Sequence, residues 1–233
     1  MSSKERNLCV DYRRIGELAH EFTALWTRLQ AFYLDAAVGF AWVRNRVESE
    51  QEILKSIARG SELDSQEFQD TLSFGYERIF SEPFCTSAIH TATKGEVRQR
   101  NAPGGSNFIT LGRLCIVSFY DYWNEYLRRE YVIAKGKLDK HEKEKKIVDE
   151  LLKRHASFDL WGDIRLLRHS IVHNLGFAIP DIRKCKLIHW FKPKDSIDIT
   201  PDQMTVLFRA LLVFRNEIDA QQYPPKYIAV PRH

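Results

Sequence analysis

The chain has 233 residues, of which 44% are hydrophobic and 28% charged, and a formal net charge of +4. That is enough apolar material for a substantial core, which excludes a disordered chain. The mild positive charge permits a polyanionic partner without demanding one.

Residues 1–12 are polar. From Ile15 an apolar stripe runs through Leu18, Phe22, Leu25, Leu29, Phe32, Ala36, Phe40, Val43 and Val47. Its steps of three and four predict a long helix over about 13–58, unbroken or divided near Gly39, with Gly60 as its stop. A weaker helical pattern, Leu63, Phe68, Leu72, Tyr76 and Ile79, ends at Pro83. Residues 93–106 are basic and rich in Gly and Pro, which predicts an exposed loop. A second strong helix is expected over about 107–131, carrying Phe108, Phe119, Tyr120, Tyr122, Trp123, Tyr126 and Tyr131. Such a row of rings can stack bases, but at helical spacing core packing is the commoner use. Asp121 and Glu125 lie four apart on this helix; paired carboxylates can do acid–base work, but the simpler reading is ion pairing from Glu125 to Arg128 or Arg129.

Lys and Glu dominate residues 135–146, a solvated turn, and Ile147, Val148, Leu151 and Leu152 predict a short amphipathic helix. The next helix, about 160–174, begins near a capping Asp159 and ends at Asn174-Leu175-Gly176. Beyond Pro180, residues 186–191 and 197–199 have the texture of two short strands. Thr200-Pro201-Asp202-Gln203 is a helix start, and Met204, Leu207, Leu211, Phe214 and Ile218 form that helix's buried face, so the β element and last helix occupy about 186–222. The expected fold is mainly α, one helical domain over 1–233 with a small two-stranded β element near its C-terminus.

Cys9, Cys85, Cys115 and Cys185 stand far apart with no CxxC pair, so free thiols in a reducing, cytoplasmic setting are expected. No apolar run reaches the ~20 residues of a membrane span, and no secretory leader is recognisable, so no membrane association is expected.

The chemically distinctive segment is Arg168-His169-Ser170-Ile171-Val172-His173-Asn174. On a helix, Leu160, Ile164, Leu167 and Ile171 share one side, while Arg165, His169 and His173 form a stripe on the opposite side. Guanidinium groups match phosphate oxygens, and imidazoles exchange protons near neutral pH. Arg168 and His173 lie about 140° apart on an ideal helix. In one chain they converge poorly unless the helix ends before His173, and two copies across a two-fold axis could supply both groups to one site.

Arg168, four intervening residues and His173 form an Rx4H element. The string Leu-Arg-His-Ser-Ile-Val-His-Asn resembles the signature of HEPN domains, α-helical domains of toxin–antitoxin, phage-defence and RNA-processing systems. The long N-terminal helix and the aromatic stretch Tyr122-Trp123-Asn124-Glu125-Tyr126 suit that class. The resemblance implies an endoribonuclease that needs neither metal nor cofactor and acts as a homodimer on RNA, with an antitoxin as a further partner. Arg168 would hold the scissile phosphate, and His173 would act as base or acid toward the 2′-hydroxyl. His169 fills the polar position after the arginine, where the family often has Asn or Asp, and it would orient the backbone or share proton transfer. Arg165 and Asn174 are the expected RNA contacts. The alternative is a catalytically silent HEPN-like module that binds RNA, a nucleotide or a protein. Structural roles compete at each position: a salt bridge for Arg168, a helix cap for His173. A zinc site on His169 and His173 is the weakest reading, since no Glu follows His169 as zincin chemistry requires.

Overall fold

The computed structural model describes residues 9–75, 92–136, 153 and 158–220. It is mainly helical. In chain order the elements are α1 (Tyr12–Ile57), a 3₁₀ turn (Glu62–Asp64), α2 (Gln66–Thr71), α3 (Lys94–Arg100) and α4 (Ser106–Tyr122). A π-helical turn (Trp123–Leu127), α5 (Arg128–Ala134), α6 (Phe158–His173), a second 3₁₀ turn (Pro180–Lys184) and α7 (Pro201–Ala220) follow. The chain groups into two compact units, one made of Met1–Phe32, Arg113–Asp198 and Asp202–His233, the other of Tyr33–Gly112 and Ile199–Pro201.

The first unit is organised by aromatic rings, one from each of four helical stretches. Trp123 stacks on Trp161 with centroids 4.6 Å apart and planes 9° from parallel. Phe214 meets Trp123 at 5.1 Å and Trp161 at 5.2 Å, edge to face, and Phe22 meets Phe214 at 5.1 Å. Offset-stacked and edge-to-face pairs are the arrangements that ring quadrupoles favour. The aromatic stretch before the motif helix is therefore core rather than a base-stacking platform: Phe119, Trp123 and Tyr131 are buried. Phe119, Trp123, Leu127 and Tyr131 follow one another at four-residue steps. On a pure α-helix that row would drift by roughly 40° per step. The π-helical turn, in which the Arg128 N–H donates to the Trp123 carbonyl, widens the helix where the drift accumulates and keeps all four side chains buried. It also carries Tyr126, whose hydroxyl accepts from Arg14 Nη2 and donates to Glu21 Oε2, both at 2.7 Å.

In the second unit Val47, Phe74, Ala92 and Val97 form a small core with Val43 against it. α1 runs without interruption past Gly39. The expected loop at 93–106 is instead partly helical. Thr93 and Glu96 form a capping box at the start of α3, with each side chain bonded to the other residue's N–H. Lys94, Gly95 and Val97 are buried. The basic residues that suggested solvent find carboxylates: Lys94 pairs with Glu50 at 3.0 Å and Arg98 with Asp70 at 2.6 Å. Among the described residues the weak pattern after Gly60 gives the first 3₁₀ turn and α2, the latter capped by Ser65, which accepts from Phe68 N. Tyr76 and Ile79, and the helix expected over 147–152, lie outside the described residues.

The two-stranded β element is not present among the described residues. Phe177 and Ser196 make an isolated antiparallel bridge, and residues 186–191 are irregular. The N–H groups of residues 186, 187 and 188, which a strand would spend on a neighbour, are taken by a carboxylate described below. α7 starts at Pro201, as the capping sequence predicts, and buries Met204, Leu207, Leu211, Phe214 and Ile218.

Trp161 Nε1 is buried without a hydrogen-bond partner among the described residues. Trp161→Ala is expected to cost about 3–5 kcal/mol through the cavity left among three rings. Trp161→Phe should cost far less, because it keeps a ring and removes the orphan donor. Urea unfolding of the two variants checks this, and equal losses would refute it.

Burial pushes the Asp70 carboxyl up, but hydrogen bonds from Gln51, Gln66 and Arg98 and the Arg98 charge hold it below its ordinary value. Glu50 is likewise held down, against burial, by Lys94 and Arg46. For groups depressed in the folded state, the stability they add is complete above the unfolded carboxyl range, about pH 4, and is lost as pH falls through the folded values. Urea midpoints measured from pH 7 to pH 3 should therefore fall below about pH 4. The Glu50→Gln/Asp70→Asn variant should start lower at pH 7 and fall less.

Candidate functional site

α6 is amphipathic in the ordinary sense, with Leu160, Trp161, Ile164, Leu166 and Leu167 buried. Two polar residues lie in register with that apolar face, seven apart: Asp163, 2% exposed, and Ser170, fully buried. Asp163 accepts from the N–H groups of Lys186 (2.9 Å to Oδ1), Leu187 (2.7 Å to Oδ2) and Ile188 (2.8 Å to Oδ2). Ser170 Oγ donates to the Leu166 carbonyl at 2.9 Å and accepts from Ile179 N–H at 3.2 Å. A buried carboxylate needs several dipoles aimed at it, and three consecutive amides supply them. The segment following the motif is thus fastened along the length of the motif helix. Beside Asp163, burial and then the charge of that carboxylate push the Cys185 thiol up to about 12. Burial pushes the Cys115 thiol equally far, to about 12. Neither sulfur is a nucleophile near neutral pH.

α6 ends at His173, and the chain turns through Leu175 (φ 52°) and Gly176 (φ 83°), both left-handed. The Gly176 N–H bonds back to the Ser170 carbonyl at 3.1 Å. The left-handed positions are Leu175 and Gly176 rather than Asn174. A Cβ on Gly176 would lie 2.6 Å from Arg113 Nη1. Arg113 there clamps the returning chain, donating to the Ile197 carbonyl at 3.0 Å and to Ser196 Oγ at 3.2 Å.

On the outer side of α6, Arg165, His169 and His173 are exposed, forming the stripe that the sequence predicts. The His169 and His173 rings lie with centroids 4.9 Å apart. Arg168 is partly buried, and its Nη1 lies 3.0 Å from His173 Nε2. The helical-wheel expectation that these two groups converge poorly within one chain is therefore wrong. Arg168 has a long side chain and His173 is the last helical residue, so the guanidinium reaches along the helix to the ring. A guanidinium only donates, so Nε2 accepts, and the His173 proton in this arrangement sits on Nδ1. Arg168 Nε is 3.2 Å from Asp121 Oδ1. That contact is an ion pair without hydrogen-bond alignment, for the buried Nε–H has no acceptor in line among the described residues. Asp121 thus faces the motif arginine, and Glu125 accepts from Asn124.

Asn174, an expected RNA contact, closes the turn by donating from Nδ2 to the Phe177 carbonyl at 2.7 Å. Arg165 makes no ion pair among the described residues. Asp159 does not cap the helix but sits in its first turn, paired with Lys186 at 2.8 Å. Among the described residues no three His, Cys, Asp or Glu side chains gather as a metal-ligand set, and no helix is long and apolar enough to cross a membrane. Sequence reasoning missed Asp163, Ser170 and Arg113, and it noted Asp121 only beside Glu125, not as the partner of Arg168. Asp163 and Ser170 carried a signal, polar side chains at apolar-face positions, whereas Arg113 carried none.

Comparison with known proteins gave no matching family model, no matching curated protein and no matching solved structure.

Asp163→Ala should orphan three amides and cost about 3 kcal/mol. Trypsin should then cut the chain after Lys184 or Lys186 much faster than in the wild type. Unchanged digestion would show that the segment is held by something else.

Proposed function

We propose that the chain is a HEPN-like endoribonuclease of toxin or defence type, acting on RNA as a homodimer and without a metal cofactor. The observation that carries this reading is the Arg168–His173 contact at 3.0 Å. It puts a permanent cation and a proton acceptor of the Rx4H element side by side on the surface of one helix end. Asp121 pairs with the guanidinium through Nε, and Arg168 Nη2 makes no hydrogen bond or ion pair among the described residues. A phosphodiester oxygen would take the donor that now faces His173. The 2′-hydroxyl would then replace Arg168 as the donor to His173 Nε2.

His173 removes the 2′-hydroxyl proton as that oxygen attacks phosphorus. Arg168 balances the charge gathering on the phosphoryl oxygens. The P–O5′ bond breaks, and the 5′-oxygen takes a proton from an acid, for which His169 is the neighbouring group. The products are a 2′,3′-cyclic phosphate and a 5′-hydroxyl. Because both motif groups meet within one chain, support for a homodimer rests on the HEPN resemblance and not on the helical wheel. An antitoxin partner rests on the same resemblance.

A second reading is favoured by the same contact. An arginine paired with Asp121 and capped by His173 is also a closed structural pair, as a silent RNA-, nucleotide- or protein-binding module would have. Cleavage of a mixed RNA pool in EDTA separates the two. The nuclease reading expects 2′,3′-cyclic ends from the wild type and a loss of at least about 100-fold in His173→Ala and in Arg168→Ala. No cleavage by folded wild-type protein supports the silent module, and equal cleavage by the variants rejects both roles.

A further inference from the structure

Outside the motif, the densest run of positive charge in the described chain is the segment that Asp163 fastens. Between Arg183 and Lys194 stand Arg183, Lys184, Lys186, Lys192 and Lys194, with no acidic residue among them. His189, Trp190 and Phe191 lie in the middle. Lys184 and Lys186 have surface partners, Asp181 at 2.9 Å and Asp159 at 2.8 Å. Arg183, Lys192 and Lys194 are exposed and make no ion pair among the described residues. Trp190 and Phe191 are half-buried, their rings nearly perpendicular with centroids 6.4 Å apart.

Arg183 and Lys184 close the second 3₁₀ turn, and from residue 185 the segment has no regular secondary structure, yet it is fixed against the motif helix and its exit. At one end the amides of residues 186, 187 and 188 bind Asp163. At the other, Lys194 N–H donates to the Ala178 carbonyl at 2.9 Å and Ala178 N–H to the Asp195 carbonyl at 2.8 Å. Lys192 N–H donates to Asp195 Oδ2 at 2.7 Å, closing the turn. The cations are therefore carried on a backbone whose ordering is complete before any ligand arrives, which lowers the cost of binding.

We propose that residues 183–194 bind the backbone of single-stranded nucleic acid, with Arg183, Lys192 and Lys194 as phosphate contacts. Unpaired cations spaced along an irregular, preordered strand, with aromatic side chains between them, are what such a ligand uses: charge for the phosphates and π-faces for bases. An acidic protein would use the charge alone. The inference deepens the ribonuclease reading by supplying a binding track beside the motif helix, and it rests on that reading for its purpose. Its test does not depend on cleavage.

The test is fluorescence anisotropy of a labelled, mixed-sequence 2′-O-methyl oligonucleotide, which cannot be cut through its 2′-oxygen, titrated with the full chain in EDTA at several salt concentrations. Arg183→Ala/Lys192→Ala/Lys194→Ala should weaken binding by about tenfold or more and make the plot of log affinity against log salt shallower by about 2, as three contacts at ~0.7 each require. Lys192→Arg/Lys194→Arg should retain binding, and far-UV circular dichroism of all variants should match the wild type. An unchanged salt slope in the triple variant, no binding by the wild type, or equal affinity for polyglutamate would each overturn the proposal. Intact, triple-sensitive binding by a wild type that cleaves no RNA would sink the nuclease and leave this surface standing.

Discussion

A carboxylate buried without a cation beside it survives only if dipoles surround it, and Asp163 meets that condition with three successive backbone amides. The position of everything after the motif follows. Ser170, two turns further along the same face, takes the Ile179 amide. Arg113 then gathers the Gly176 and Ile197 carbonyls where the chain returns. The motif helix therefore serves as the template for the irregular stretch from Gly176 to Asp198. Its inner face is spent on this task and on the Trp123–Trp161 stack. Arg165, His169 and His173 are left on the outer face, where they owe nothing to packing.

That division explains how much of the site was legible. The stripe Arg165, His169, His173 can be read from spacing alone, because exposed residues on a regular helix follow its period. The contact between Arg168 and His173 was not legible, since a helical wheel records the direction of Cβ and not the reach of a guanidinium on its three-methylene stem. Asp121 was hidden for a different reason. Its partner lies on another helix, and its neighbour Glu125 offered a more obvious local explanation.

The fold was legible wherever one helical face is buried. The apolar stripes of α1, α6 and α7 match the observed helices to within about two residues, the usual uncertainty of a helix end. Errors arose where polar residues are satisfied inside the protein. Basic character and Pro-Gly content at 93–106 suggested solvent, yet Lys94 and Arg98 are paired with Glu50 and Asp70, and the Thr93–Glu96 box was overlooked. Residues 186–191 have strand-like composition, but a side chain of the motif helix, rather than a second strand, collects their amides. Composition describes what a segment can bury. It does not say which group will take its N–H bonds.

The π-helical turn at Trp123–Leu127 places the two ends of that long helix in different rotational registers. An α-helix tolerates a lost residue only by turning everything beyond it through about 100°. Here the wide turn already holds one residue more than α geometry needs, so a single deletion within it would restore α geometry locally and leave Tyr131, Val132 and Ala134 in the core they now fill. The same deletion in α4 or α5 would turn the residues beyond it out of that core. Among descendants of this sequence, a lost residue should therefore be tolerated within Trp123–Leu127 and not on either side of it.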